Sequence, residues 1–142
     1  MIINDRVDVA LLCGADGVQL GRGSLPVAAV RQLLPPSIKV GASVHSVNEA
    51  RQAELDGADY VIAGTIFSSP SHPDVTPGGP ELLKNITSRL NIPVIAIGGV
   101  NPDTVNECWA GGAAGVAAIS DILRAENPRL AAERLAPIPV EE

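Results

Sequence analysis

Pro93-Val94-Ile95-Ala96-Ile97-Gly98-Gly99 is a short, unbroken apolar run that ends on two glycines. A strand with one face in water alternates apolar and polar residues, whereas a strand covered on both faces reads as a continuous apolar run. Residues 93–97 therefore predict a strand of a helix-covered parallel sheet. Val116-Ala117-Ala118-Ile119 repeats the pattern one unit later, within a predicted strand over 115–120. Between the two runs, Gly98-Gly99 turns the chain, Asn101 can cap a helix, Pro102 suits its first position, and Gly111-Gly112 stops it.

The same unit recurs upstream. Apolar runs predict strands over 2–4, 17–20, 39–44 and 59–64. Helical patterns run from Val7 to about Cys13, from Pro26 to near Pro35-Pro36, and from Pro80 to about Leu90. Ser46-Val47-Asn48-Glu49 reads as a capping box: the serine oxygen takes an orphan backbone N–H, and the glutamate reaches back to the cap. That helix stops at Gly57. A Ser- and Pro-rich loop spans Thr65 to Gly79, Asn127-Pro128 opens the last helix, and residues 136–142 read as a frayed tail. Gly14-Ala15-Asp16-Gly17-Val18, Gly57-Ala58-Asp59-Tyr60-Val61 and Gly112-Ala113-Ala114-Gly115-Val116 echo one another, which shared turn chemistry explains. Six strand–helix units predict an α/β fold with a parallel sheet. Two architectures fit: a (β/α)₈ TIM-type barrel with six of its eight units present, or an open parallel αβα sheet.

Composition narrows the function. With 142 residues, the chain predicts a single domain over 1–142. Hydrophobic residues make up 46%, and the three aromatics are Tyr60, Phe67 and Trp109, so Val, Ile, Leu and Ala must build the core. A net charge of −6 without a basic run argues against nucleic acid. No apolar run approaches the ~20 residues that span a membrane, and the N-terminus carries no secretory pattern. Cys13 and Cys108 have no metal-ligand spacing; two small buried hydrophobes in a reducing, cytoplasmic compartment is the simplest expectation.

In either architecture function gathers at the carboxyl ends of the strands. Those positions hold Asn4-Asp5-Arg6, Gly21-Arg22-Gly23-Ser24, His45-Ser46, the Thr65–Gly79 loop, Gly98-Gly99 and Ser120-Asp121. Barrels often seat a phosphate between the loops after strands seven and eight, where glycines let backbone N–H groups approach its oxygens. Gly98, Gly99 and Ser120 fit that role if the last two strands here are the seventh and eighth; otherwise Gly98-Gly99 is a tight turn. Asp5 can bind Mg²⁺, pair with Arg6 or cap a helix. His45 and His72 are the candidate acid–base groups, or else a histidine beside a cap and a solvated loop residue.

Taken together, these strand ends resemble the thiamine phosphate synthase/TenI family. The resemblance is carried by Ile2-Ile3-Asn4-Asp5-Arg6-Val7-Asp8-Val9-Ala10, Gly14-Ala15-Asp16-Gly17-Val18-Gln19-Leu20, Ser43-Val44-His45-Ser46, Gly57-Ala58-Asp59-Tyr60-Val61, Gly64-Thr65-Ile66-Phe67, Ile92-to-Val100 and Gly111-to-Ser120. It implies a (β/α)₈ barrel that starts here at the third strand. It also implies thiamine biosynthesis. The synthase joins a hydroxymethylpyrimidine pyrophosphate to a thiazole phosphate with Mg²⁺ and releases pyrophosphate, while some TenI proteins tautomerise a thiazole carboxylate phosphate.

Carried over position by position, the resemblance makes Gly98, Gly99 and Ser120 the thiazole-phosphate cradle. Asn4, Ser43 and Thr65 become further substrate contacts, and Asp5 a Mg²⁺ ligand. Ser24 stands where synthases carry a second metal aspartate, which implies a weakened metal site. His72 stands where they carry a loop lysine. Thr65 stands where the tautomerase carries its histidine. The family's Gln-x-Arg-x-Lys strand has no counterpart in residues 1–142. The resemblance thus implies a TenI-like, thiazole-phosphate-binding chain whose synthase or tautomerase chemistry is impaired. A non-catalytic phosphate-binding module or a truncated gene product are the alternatives. Two open barrel edges imply a homo-oligomer or a partner chain that covers them.

Overall fold

The computed structural model describes residues 1–69 and 74–137. Six strands alternate with helices: β1 (Ile2–Asn4), α1 (Val7–Leu12), β2 (Gly17–Leu20), α2 (Val27–Leu33), β3 (Lys39–Val44), α3 (Val47–Leu55), β4 (Tyr60–Ala63), α4 (Gly79–Thr87), β5 (Val94–Ile97), α5 (Val105–Ala110), β6 (Gly115–Ala117), α6 (Ser120–Leu123) and α7 (Pro128–Leu135). All five strand pairings are parallel, and the order in the sheet is the order in the chain. That order decides between the two architectures. A doubly wound sheet reverses direction at a switch point and puts helices on both faces. Here nothing reverses, so right-handed crossovers place the helices on one face. The sheet is a curled half-barrel of TIM type, and the open αβα alternative is set aside.

Side-chain alternation shows which face is which. Val18, Leu20, Val40, Val44, Val61, Ala63, Val94 and Ala96 lie buried beneath the helices, against Ala10, Val30, Ala50, Leu83, Ile86 and Cys108. Their neighbours Tyr60, Ile62, Ile95 and Ile97 point to the concave side and are only half-buried. The apolar runs thus read as strands covered twice, yet six strands cover the inner face only in part.

The threefold echo is a shared helix stop. Ala15, Ala58 and Ala113 each donate a backbone N–H five residues back, to Ala10 (3.0 Å), Ala53 (2.9 Å) and Cys108 (3.1 Å). Gly14, Gly57 and Gly112 sit in the left-handed region at φ 62°, 94° and 82°. This is the Schellman closure, which a glycine enters without a Cβ penalty. The next residue then enters the sheet: Asp16 N–H bonds Met1, Asp59 bonds Val40 and Ala114 bonds Val94.

Several expectations shift. β6 ends at Ala117, and Ser120 is the first residue of α6 rather than the end of a strand. α5 begins at Val105, because Asn101 closes a preceding turn in which its Oδ1 accepts from Asp103 (2.9 Å) and Thr104 (3.2 Å). Cys108 is buried but Cys13 is exposed, at the end of α1 where the helix leaves the core. Asn127 caps α7 as expected, accepting from Leu130 at 3.0 Å. His72 and residues 138–142 of the expected tail lie outside the described residues. Among the described residues no helix is long and apolar enough to cross a membrane.

Candidate functional site

A cleft of about 330 Å³ opens at the carboxyl ends of the strands. It gathers Asn4 from the end of β1, Ser43 and His45 from β3 and its loop, Thr65 and Ser69 from the loop after β4, Gly98 and Gly99 after β5, and Ser120 at the start of α6. Of the nine positions singled out from sequence, the structure brings seven to this one cleft. Asp5 lies outside it, and His72 is not among the described residues. Gln19 and the apolar side chains Ile62 and Ile97 line it as well.

Gly98 and Gly99 are fixed by their neighbours. Both have left-handed φ, 95° and 64°. A Cβ on Gly98 would come within 2.6 Å of Thr65 Cγ2 and 2.9 Å of its Cα. A Cβ on Gly99 would overlap the Ser68 carbonyl and come within 2.9 Å of Phe67. The two glycines thus let the 65–69 strand exit lie flat against the β5 exit. Ile66 and Phe67 N–H groups seal this contact on the Ile97 (3.0 Å) and Gly98 (2.9 Å) carbonyls. The long loop is also tied at its base, where Gly78 and Gly79 donate to Thr65 (2.8 Å) and Ile66 (2.9 Å). The tight turn and the candidate phosphate seat are therefore the same feature.

His45 sits on the rim and is held by Glu49. Glu49 Oε2 accepts the His45 backbone N–H at 2.7 Å and lies 3.3 Å from His45 Nδ1. Ser46 caps α3 by accepting from Glu49 N–H at 3.2 Å. The capping box therefore forms with one change: its glutamate returns to His45, one residue before the cap, and orients the imidazole. A second, shallower cleft of about 300 Å³ lies across Ser43 and His45, with Arg22, Ser24 and Glu49 in its wall.

Asp5 neither pairs with Arg6 nor caps α1. Arg6 pairs instead with Asp8, at 2.6 and 2.8 Å, which holds the Asp8 carboxyl down at about 2. Asp5, at φ 58°, accepts from the Ser24 hydroxyl, from Gly21 N–H at 2.9 Å and from Asn4 Nδ2 at 2.9 Å. The Ser24 and Gly21 hydrogen bonds hold its carboxyl below the ordinary carboxylate range. A hard cation needs several oxygen ligands, usually including more than one carboxylate where the protein itself holds it. Here the one carboxylate is engaged at both oxygens. Among the described residues no cluster of three His, Cys, Asp or Glu could hold a metal. These residues do not fit a protein-held Mg²⁺.

The sequence profile described as thiamine monophosphate synthase matches residues 1–122. The chain belongs to the thiamine monophosphate synthase family. It is 48% identical over 135 residues to a thiamine-phosphate synthase of Chlorobium luteolum, covering 94% of this chain and 64% of that protein. It is 45% identical over 140 residues to the thiamine-phosphate synthase of Pyrococcus furiosus, covering 99% and 67%. A solved structure, thiamine phosphate pyrophosphorylase from Pyrococcus furiosus, superposes with a TM-score of 0.86 at 43% identity, covering 94% of this chain and 64% of that one. The chain spans about two thirds of the length of these family members. It spans 28% of a bifunctional thiamine biosynthesis protein of Symbiobacterium thermophilum, to which it is 45% identical.

Sequence reading missed Gln19. It sits mid-strand in Gly17-Val18-Gln19-Leu20, where a lone polar residue in an apolar run was the available signal.

Proposed function

We propose that the strand-end cleft binds thiazole phosphate, with its phosphate at Gly98, Gly99 and Ser120. The observation that carries this reading is the convergence of those three residues with Asn4, Ser43 and Thr65 on one cleft, in a chain of this family. The relatives' names favour synthase chemistry for the complete protein. Thr65 stands at the tautomerase's histidine position, and a threonine hydroxyl does not exchange protons readily near neutral pH.

In synthase chemistry the thiazole nitrogen attacks the pyrimidine methylene carbon. A C–N bond forms and the C–O bond to pyrophosphate breaks, pyrophosphate leaving with that bond's electron pair. The residues described here serve the thiazole half by holding the phosphate and fixing the ring's approach. Proximity of this kind contributes heavily to the rate of a two-substrate reaction. His45, oriented by Glu49, and His72 stand as the candidate proton-transfer groups. With one carboxylate at the Asp5 position, residues 1–142 by themselves bind thiazole phosphate but turn over little.

Isothermal titration of the purified chain with thiazole phosphate, with and without Mg²⁺, tests this. One saturable site is expected, with an affinity unchanged by Mg²⁺. Ser120→Ala is expected to weaken it about tenfold, as for a lost hydrogen bond to a charged group. A well-folded sample that binds no thiazole phosphate would contradict the reading.

A further inference from the structure

Among the described residues Gln19 is the one buried polar side chain, 9% exposed, on the concave face of β2. Its Nε2 donates to Ser43 Oγ at 3.0 Å and lies 3.5 Å from the Leu20 carbonyl. Its Oε1 is buried with no hydrogen-bond partner. Turning the amide over would not relieve this: the two Nε2 protons would sit without a partner at the same buried position, and the oxygen would lie 3.5 Å from the Leu20 carbonyl, a second acceptor. The side chain fits only because Gly41, its partner across the β2–β3 register, has no Cβ; one there would overlap both Gln19 Oε1 and the Tyr60 ring. A buried amide with one end unsatisfied costs free energy that an apolar side chain of the same length would not.

The bond to Ser43 has a directional consequence. An amide N–H can only donate, so Ser43 Oγ must accept. The serine's own proton is left to be donated elsewhere, and Ser43 lines the same cleft as Gly98 and Gly99. We propose that Gln19 is a positioning residue that sets the Ser43 hydroxyl as a hydrogen-bond donor into the cleft, to meet an acceptor atom on the heterocycle of the bound ligand, such as an unprotonated ring nitrogen. This rests on the reading of the cleft as the substrate site. Gln19 acts through Ser43.

The test titrates the full chain with thiamine phosphate, the family reaction's product, which carries both heterocycles and the phosphate. Gln19→Met keeps length and shape but cannot donate. Gln19→Glu keeps shape but accepts, which turns the Ser43 proton inward. Both are expected to weaken binding about five- to tenfold, matching Ser43→Ala. The double variant Gln19→Met with Ser43→Ala is expected to be no weaker than Ser43→Ala alone, because the pair acts as one unit. The urea midpoint of Gln19→Met is expected to stay level or rise, since an orphan oxygen has gone. A purely structural role reverses this, with a lower midpoint and unchanged binding, and would overturn the proposal. So would additive losses in the double variant. Binding that falls in Ser120→Ala but not in the Gln19 variants would sink this inference and leave the cleft reading intact. Absence of wild-type binding from a folded sample would remove both.

Discussion

Asp59 shows how single residues divide the labour between the two ends of the barrel. It precedes β4 and so lies at the end away from the cleft, the end of such barrels that serves stability rather than chemistry. Its carboxylate accepts from Val40 N–H at 2.8 Å, Arg31 at 2.9 Å and Lys39 at 3.0 Å. Burial works against the charge, but these three donors outweigh it and hold the carboxyl below its ordinary value of 3.8. The stability it contributes is therefore complete above that ordinary value and is lost as pH falls through the lower folded value. Asp59→Asn is expected to cost about 1–2 kcal/mol at pH 7, since the carboxylate is three-quarters buried and hydrogen-bonded. It should also flatten the acid limb of the stability profile; urea titrations from pH 7 down to pH 3 check both. Gly99→Ala acts at the other end. A left-handed alanine costs about 1–2 kcal/mol before the overlap with Ser68 is counted. A urea midpoint equal to the wild type's would contradict the packing described for the two loop exits.

At the scale of elements, α3 carries a direct test. Ser46→Ala removes its cap and is expected to lower stability by about 1 kcal/mol by urea denaturation. It also frees Glu49 N–H, while the Glu49–His45 contact persists. The elements were largely legible because their signals are local: an unbroken apolar run, a glycine stop, a serine three before a glutamate. β2 and β3 fall where their runs predict, and so does the N-terminus of α7. Where reading went astray, a tertiary contact had overridden a local preference. Ser120 looked like a strand end because Gly115 to Ile119 is apolar throughout, yet the chain turns into α6 once its pairing with β5 stops at Ala117. Asp5 was read as a candidate cap or a partner of Arg6, because nothing in its own stretch announces the hydrogen bond from Ser24, nineteen residues on. Gln19 stood out as a lone polar residue, but its role was hidden for a similar reason: its partner lies on the next strand, and register alone brings them together.

For the whole molecule, sheet order was the property that alternation could not supply. Six strand–helix units permit either winding, and only the unreversed order makes a half-barrel with one helix-covered face. Two consequences follow from that shape. The edges β1 and β6 carry unpaired backbone groups; Ile2 on β1 and Ile119 two residues beyond β6 stand exposed, 49% and 66%. Strand edges of this kind pair with other strands, so the chain alone is expected to self-associate in a concentration-dependent way on size exclusion. A strict monomer at all concentrations would contradict it. The other consequence is that the concave face leads directly to the strand-end cleft, so ligand binding and barrel closure share a surface. The most direct test of the cleft assignment is a ¹⁵N–¹H titration of the labelled chain with thiazole phosphate. The largest shifts, saturating together, are expected at the Gly98, Gly99 and Ser120 amides, with Asp59 and its neighbours at the far end unmoved. Shifts centred instead on Gly21, Arg22 and Ser24, in the second cleft, would contradict it.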